Sequence, residues 1–282
     1  MLSFSEIFSL LKASNWIKNI VILLPAFFGL TIIKGELILP LILGFLGFSF
    51  LSSSIYIVND IFDKEVDQVD PEKKNRPIAS GKIGIKTAAS VSFFLLIIAL
   101  LLALYLGGYI VIYFIAYLLV NLLYSWRLKQ IGVVDVLCIG SGFIFRIMVG
   151  ANIAGVYASS WILALTFATA IFFPLIKRKN KSKQSINPYP FYEKVNFKKF
   201  MSFYGVGIVL LYMGFCLYQV YIKEKTEVLF LSIIPVGVAI FEFIRKSTFL
   251  SVINDPVKDS LKNPAILIGL ATWVIIMTFS YY

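Results

Sequence analysis

Nine apolar runs, each close to the ~20 residues that carry a helix across a bilayer, divide this chain of 282 residues. They lie at about 14–33, 37–58, 84–106, 108–126, 131–153, 160–177, 201–221, 228–245 and 263–281. A hydrocarbon interior leaves every backbone polar group to be satisfied within the segment, and an α-helix does that. The expected fold is therefore all-α and polytopic, with nine transmembrane helices. No soluble stretch or repeat breaks the pattern, so residues 1–282 are expected to form one transmembrane domain. A hydrophobic content of 59% and a mean hydropathy of +0.87 agree with that class. The N-terminus, MLSFSEIFSLLKASNWIKN, has neither the basic start nor the small-residue cleavage site of a removable signal.

Several chemistries drop out early. There is no histidine, which removes imidazole as a general base or metal ligand. Cys138 and Cys216 lie far apart in apolar segments and suggest neither a disulfide nor a metal site. The net charge of +11 is read as the basic bias of cytoplasmic loops plus an anionic substrate, and not as nucleic-acid binding. The distribution of bases supports this. Lys12, Lys18, the bases of 64–86, Arg127, Lys129, the bases of 177–199, Arg245, Lys246, Lys258 and Lys262 fall on one side of the nine spans; only Lys34, Lys223 and Lys225 fall on the other. That asymmetry puts the N-terminus in the cytoplasm, the C-terminus outside, and the chemistry at the cytoplasmic face of the cell membrane.

The stretch 59–81, NDIFDKEVDQVDPEKKNRPIASG, is the long hydrophilic passage of the first half. Asn59, Asp63 and Asp67 step by four, and Asp60 shares a helix side with Asp67. Like charges so placed repel, so something positive must offset them. A hard divalent cation with oxygen ligands, Mg2+ shared with substrate phosphates, is the obvious candidate. The bases that follow, Lys73, Lys74 and Arg76, suit phosphate oxygens as well. The plainer alternative is a solvated, mixed-charge loop.

Other residues carry two readings each. In Asn15-Trp16-Ile17-Lys18-Asn19, Lys18 is either a snorkelling interfacial base or a phosphate ligand at a pocket rim. Tyr124-Ser-Trp-Arg127-Leu-Lys129 is either an interface belt or part of the site. Asp135 and Arg146 sit in an apolar segment eleven residues apart, about three helical turns, and so share one face. Ionisable groups there are expensive and usually face the bundle interior; they serve a site or pair within the bundle. The loop 177–199 has eight bases and one acid, Glu193. Contact with anionic lipid headgroups accounts for most of them, and Lys177 and Arg178 are the better candidates for substrate contact. Gly44 and Gly47 suit close helix packing within one chain or between copies in a homo-oligomer.

The pattern Asn59-Asp60-x-x-Asp63-x-x-x-Asp67 over nine spans resembles the first aspartate motif of the UbiA superfamily of intramembrane transferases. The resemblance implies a UbiA-like bundle with an active-site cavity facing the cytoplasm. It implies Mg2+ held by Asn59, Asp60, Asp63 and Asp67, assisting departure of a diphosphate before the electrophilic carbon joins a lipophilic acceptor. Prenyltransferase members usually carry a second aspartate-rich motif between spans six and seven. Here that loop has no aspartate and instead has Lys177-Arg178-Lys179.

Trp16-x-Lys18-Asn19, the run Pro71-x-Lys73-x-x-Arg76-Pro77-Ile78-Ala79-Ser80-Gly81, Leu128-Lys129 before Val134-Asp135-Val136, and Gly142-Phe143-x-x-Arg146 look like the decaprenyl-phosphate phosphoribosyltransferase branch. Asp70 departs from it, standing where that branch is expected to have histidine. In that branch 5-phosphoribosyl 1-diphosphate is the donor and a polyprenyl phosphate the acceptor, toward cell-envelope glycan precursors. The resemblance then implies Asp60, Asp63, Asp67 and Asp135 as catalytic, and Lys18, Asn19, Lys73, Arg76, Tyr124, Lys129, Arg146, Lys177 and Arg178 as substrate-binding. Two further readings are weighed against it. One is a UbiA-type prenyltransferase acting on an aromatic or isoprenoid acceptor. The other is a transporter or flippase with a charged vestibule, which the gathering of charge at one face and the lack of a repeat disfavour.

Overall fold

A computed structural model describes residues 4–182, 196–249 and 263–282. The described residues are helical, with no strand among them. The α-helices are α1 (Phe4–Leu10), α2 (Leu24–Phe28), α3 (Ile38–Phe62), α4 (Lys64–Val69), α5 (Ile85–Leu106), α6 (Ile110–Trp126), α7 (Gly132–Ala154), α8 (Ser160–Ser182), α9 (Phe197–Tyr221), α10 (Ile233–Phe249) and α11 (Pro264–Tyr281). A 3-10 segment, Ala13–Leu23, joins α1 to α2.

Each of the nine apolar runs falls on a helix. Among the described residues, six helical stretches are long and apolar enough to cross a membrane: Gly35–Phe62, Ile85–Leu106, Val133–Ala154, Phe197–Tyr221, Glu227–Lys246 and Pro264–Tyr281. The apolar helices at Ala13–Phe28, Ile110–Trp126 and Ser160–Phe172 are shorter. The first begins as 3-10 helix, which rises about 2.0 Å per residue against about 1.5 Å, and becomes α-helix only at Leu24, ahead of Pro25.

The chain divides into two compact units, residues 1–131 with 141–158, and residues 132–140 with 159–282. In the first, α3 packs along α5 and against α6, and the 3-10 segment lies on α3. Its core is Ile22, Phe48, Leu51, Ile55, Ala99, Ala103, Ile110, Phe114, Tyr117 and Val149. The faces of α5 and α6 away from this core expose Phe93, Phe94, Leu101, Leu104, Ile112 and Leu119, as lipid-facing helices do. Helices in lipid gain little from apolar contact with each other, so small residues and interhelical hydrogen bonds hold them. Ser54 and Ser92 do this between α3 and α5, with oxygens 3.0 Å apart. Trp16 Nε1 donates to Ser53 Oγ at 2.9 Å, and Asn19 donates to Ser49 Oγ at 2.8 Å, fixing the 3-10 segment.

In the second unit α8, α9 and α10 share a core of Val136, Phe172, Leu175, Met201, Ile208 and Phe243. The Tyr204 hydroxyl donates to the Ala168 carbonyl at 2.9 Å. Further along α9, the Tyr212 hydroxyl lies 2.7 Å from Ser232 Oγ and accepts from Trp273 Nε1 of α11 at 2.8 Å.

Candidate active site

Helix α3 has 25 residues, about 38 Å at 1.5 Å each, against a hydrocarbon thickness of about 30 Å. Its last turns are long enough to stand clear of the apolar layer, and they carry Asn59 and Asp60. Asp63 interrupts the helix with φ −89° and ψ 4°, and α4 continues from Lys64. The backbone ladder nevertheless runs through the break: Asp63 N–H donates to Asn59 O at 2.9 Å and Asp67 N–H to Asp63 O at 2.8 Å. The four-residue step read from the sequence is kept.

The loop after α4 folds back over this end. Lys73 and Lys74 N–H groups both donate to Asp70 O, Arg76 N–H donates to Lys73 O, and Ser80 N–H to Arg76 O. Ile78 and Ile83 are buried with Leu10, Ile57 and Ala88 in one apolar cluster. That cluster ties the basic loop, the end of α1 and the last third of α3 together, and it sets Arg76 and Lys12 over the same acid.

The result is a compact set of ion pairs. Asp60 and Asp67 are buried, at 5% and 1% exposure. Arg76 Nη1 donates to Asp60 Oδ1 at 2.9 Å and to Asp67 Oδ2 at 2.6 Å. Lys12 Nζ donates to the same Asp60 oxygen at 2.6 Å. Lys73 Nζ lies 3.0 Å from Asp67 and 3.2 Å from Asp70. Asp63 accepts from Asn59 Nδ2 at 3.1 Å and from Lys129. Asp60, Asp63, Asp67 and Asp70 thus stand against Lys12, Lys73, Arg76 and Lys129, which removes the repulsion that the bare spacing creates. Burial pulls the Lys12 ammonium pKa down, and Asp60 offsets only part of that. Burial acts the same way on Lys73, but its hydrogen bond to Asp67, the charge of Asp67 and the hydrogen bond to Asp70 outweigh it and hold that pKa above the usual lysine value.

The acidic set suits Mg2+. Its donors are hard oxygens, and Asp60 and Asp67 already converge on a single positive nitrogen. Among the described residues no three acids or cysteines form a metal cage by themselves. One or two carboxylates completed by phosphate oxygens and water is the ordinary arrangement for this ion, so the residues fit it.

Arg146 and Asn19 form a different cluster. Arg146, 4% exposed, donates from Nε to Asn19 Oδ1 at 2.6 Å, from Nη1 to Gly142 O at 2.7 Å and from Nη2 to the Tyr117 hydroxyl at 3.3 Å. Its guanidinium also lies over the rings of Phe48, Phe143 and Tyr117 at 4.7–5.1 Å. Ser49, which accepts from Asn19, is ten residues before Asn59 on α3, about 15 Å along the axis. The sequence led to Arg146 and Asn19 as substrate-binding residues, and the fold holds both buried beside the core of the first unit.

The UbiA prenyltransferase family profile matches residues 22–248. The chain belongs to the UbiA prenyltransferase family. With six helices among the described residues long and apolar enough to cross a membrane, this UbiA family chain is an integral membrane protein. It is similar to the protein y4nM of Sinorhizobium fredii, 32% identical over 60% of this chain and 33% of that one. It is also similar to the decaprenyl-phosphate phosphoribosyltransferase of Corynebacterium glutamicum, 31% identical over 60% of this chain and 52% of that one. The chain thus spans between a third and about half the length of these relatives. The solved structure of a UbiA homolog from Archaeoglobus fulgidus bound to DMAPP and Mg2+ has the same fold, with a TM-score of 0.70 at 19% identity over 97% of this chain and 98% of that one.

Within this UbiA fold, Asn59, Asp60, Asp63, Asp67, Lys73, Arg76 and Lys129 come together as the sequence suggested. Lys18 and Tyr124 are half-buried, on the 3-10 segment and at the end of α6. Asp135 is fully buried in the first turn of α7, in the second unit. Lys177 and Arg178 fall on α8, and their side chains lie outside the described residues. Lys12 stands in the sequence only as a topology marker. Its one available signal was its place four residues ahead of Trp16, and nothing in that spacing shows the turn that sends it to Asp60.

Proposed function

We propose that this protein transfers 5-phosphoribose from 5-phosphoribosyl 1-diphosphate to a polyprenyl phosphate such as decaprenyl phosphate, at the cytoplasmic face of the cell membrane, releasing diphosphate. The observation that carries the reading is the pairing of an aspartate set, with Asp60 and Asp67 buried, with four bases, Lys12, Lys73, Arg76 and Lys129, at the end of a membrane-length helix. A donor with a diphosphate and a further phosphate needs more cations than a prenyl diphosphate does. The Corynebacterium relative named for this reaction supports the choice.

Asn59, Asp60, Asp63 and Asp67 are the residues that would hold Mg2+, whose chemistry is to neutralise charge on the leaving diphosphate. Lys73, Arg76 and Lys129 exchange their carboxylate partners for phosphate oxygens and stabilise the same charge, which grows in the transition state. The bond from ribose C1 to the diphosphate oxygen breaks as C1 gains oxocarbenium character, and the lipid phosphate oxygen forms the new bond at C1. That oxygen is already anionic, so no general base is required and the absence of histidine costs nothing. Asp135, buried in α7, is proposed to hydrogen-bond ribose hydroxyls or to orient a base, and Lys18, Tyr124, Lys177 and Arg178 to line the substrate path. Arg146 and Asn19 are proposed to bind substrate from within the bundle, held in place by their own hydrogen-bond network.

The UbiA-type prenyltransferase reading keeps one specific support, the likeness of fold to a homolog bound to DMAPP and Mg2+. A donor competition separates the two. Purified protein with Mg2+ is given labelled phosphoribosyl diphosphate and a polyprenyl phosphate, and in parallel a prenyl diphosphate with an aromatic acid. Label is expected in lipid from the ribosyl donor alone and lost by at least a hundredfold in Asp63→Asn. Label passing only from the prenyl donor would replace the proposal with the prenyltransferase reading.

A further inference from the structure

We propose that Lys12 is a ligand for the donor's diphosphate, carried to the site by the turn between α1 and the 3-10 segment; this rests on the diphosphate chemistry of the reading above. Lys12 lies ahead of residues 22–248, which the family profile matches.

Three observations lead there. The backbone at Lys12 is left-handed, with φ 48° and ψ 42°, a conformation that L side chains avoid and that persists where surrounding structure enforces it. Here both flanks enforce it. Leu10 is buried against Ile57 and Ile78, Ser53 Oγ donates to Leu11 O at 2.7 Å, and Asn15 N–H donates to Lys12 O at 2.8 Å. A strained turn fixed on both sides aims the side chain at one place.

That place already holds a cation. Asp60 Oδ1 accepts from Lys12 Nζ and from Arg76 Nη1 together, while Asp67 takes Arg76 and Lys73. Asp60 therefore has two bases on one oxygen, Arg76 and Lys12, while Lys73 is shared between Asp67 and Asp70. The Tyr56 ring, 5.5 Å from Nζ, closes another side of the ammonium. With Asp60 engaged by a metal ion, Lys12 would lose its carboxylate partner, and an oxygen of an arriving phosphate would accept from its ammonium instead.

The test uses Mg2+ and inorganic diphosphate as probes on the full-length protein in detergent, by calorimetry and by the thermal midpoint. Lys12→Met is expected to weaken diphosphate binding at saturating Mg2+ by about tenfold, and Lys12→Arg to restore most of it. Binding of Mg2+ alone is expected to hold or tighten in Lys12→Met, because a competitor for Asp60 has gone. Unchanged diphosphate affinity in Lys12→Met would overturn the proposal. So would weaker Mg2+ binding, or equal loss in both variants with a lowered midpoint, since each marks Lys12 as a structural partner of Asp60. No diphosphate binding by the unaltered protein would overturn it too. Because the probe has no ribose and no prenyl chain, the result stands apart from which donor the protein uses.

Discussion

A guanidinium inside an apolar bundle must be met by counter-charge or by enough neutral acceptors, because a buried charge left unsatisfied costs several kcal/mol. Arg146 takes the second course, with an amide oxygen, a carbonyl, a phenol and three ring faces around it. Among the described residues it makes no ion pair. Arg146→Lys keeps the charge but loses the planar fork, and two of the three hydrogen bonds go with it. The expected loss is about 2–4 kcal/mol, a fall of roughly 5 °C or more in the thermal midpoint of the detergent-purified protein. An unchanged midpoint would show that the network does not hold the 3-10 segment. Arg146 was visible in the sequence as an expensive charge, but its separation from the aspartate set was not. Helical phase gives the side of α7 on which it lies, and only packing gives the depth.

At the scale of elements, α3 organises the first unit. Its serines hold the 3-10 segment and α5, and its end presents the acids. The 3-10 segment must come very close to α7, and Gly150 permits it: a Cβ there would stand 1.9 Å from the Ile22 carbonyl oxygen, a backbone atom that a rotamer change cannot move. Gly150→Ala is therefore expected to cost about 3 kcal/mol or more, read as a lowered melting midpoint and poor recovery from membranes. Wild-type stability would show that the segment shifts freely. The aspartate spacing was legible because a helix has a fixed period, and the break at Asp63 hardly disturbs it. The turn at Lys12 was not, since no glycine or asparagine signals a left-handed residue there and tertiary contacts impose it.

For the whole molecule, the proposed orientation rests on the asymmetry of Lys and Arg along the sequence. Nine crossings with the N-terminus in the cytoplasm, the topology proposed from the charge asymmetry, would put the C-terminus outside. A single cysteine added after Tyr282, in a chain whose Cys138 and Cys216 are replaced, is expected to react with a membrane-impermeant reagent in intact cells, and one in the 59–81 loop only after lysis. The reverse pattern would move the proposed site to the outer face and separate it from a cytoplasmic donor. Six helices meet the length for crossing outright, so the shorter apolar helices decide this count, and the labelling reads their parity directly.

Hydropathy, charge asymmetry and the period of four were enough to set the helical class, the apolar segments and the aspartate cluster, because each depends on residues near one another along the chain. Tertiary structure decided which base meets which acid. Lys12, Arg76 and Lys129 reach the acids from 48, 16 and 66 residues away. For Lys12 and Arg76 the pairing follows from how an apolar cluster of Leu10, Ile57 and Ile78 closes, and long-range packing leaves no periodic trace in sequence.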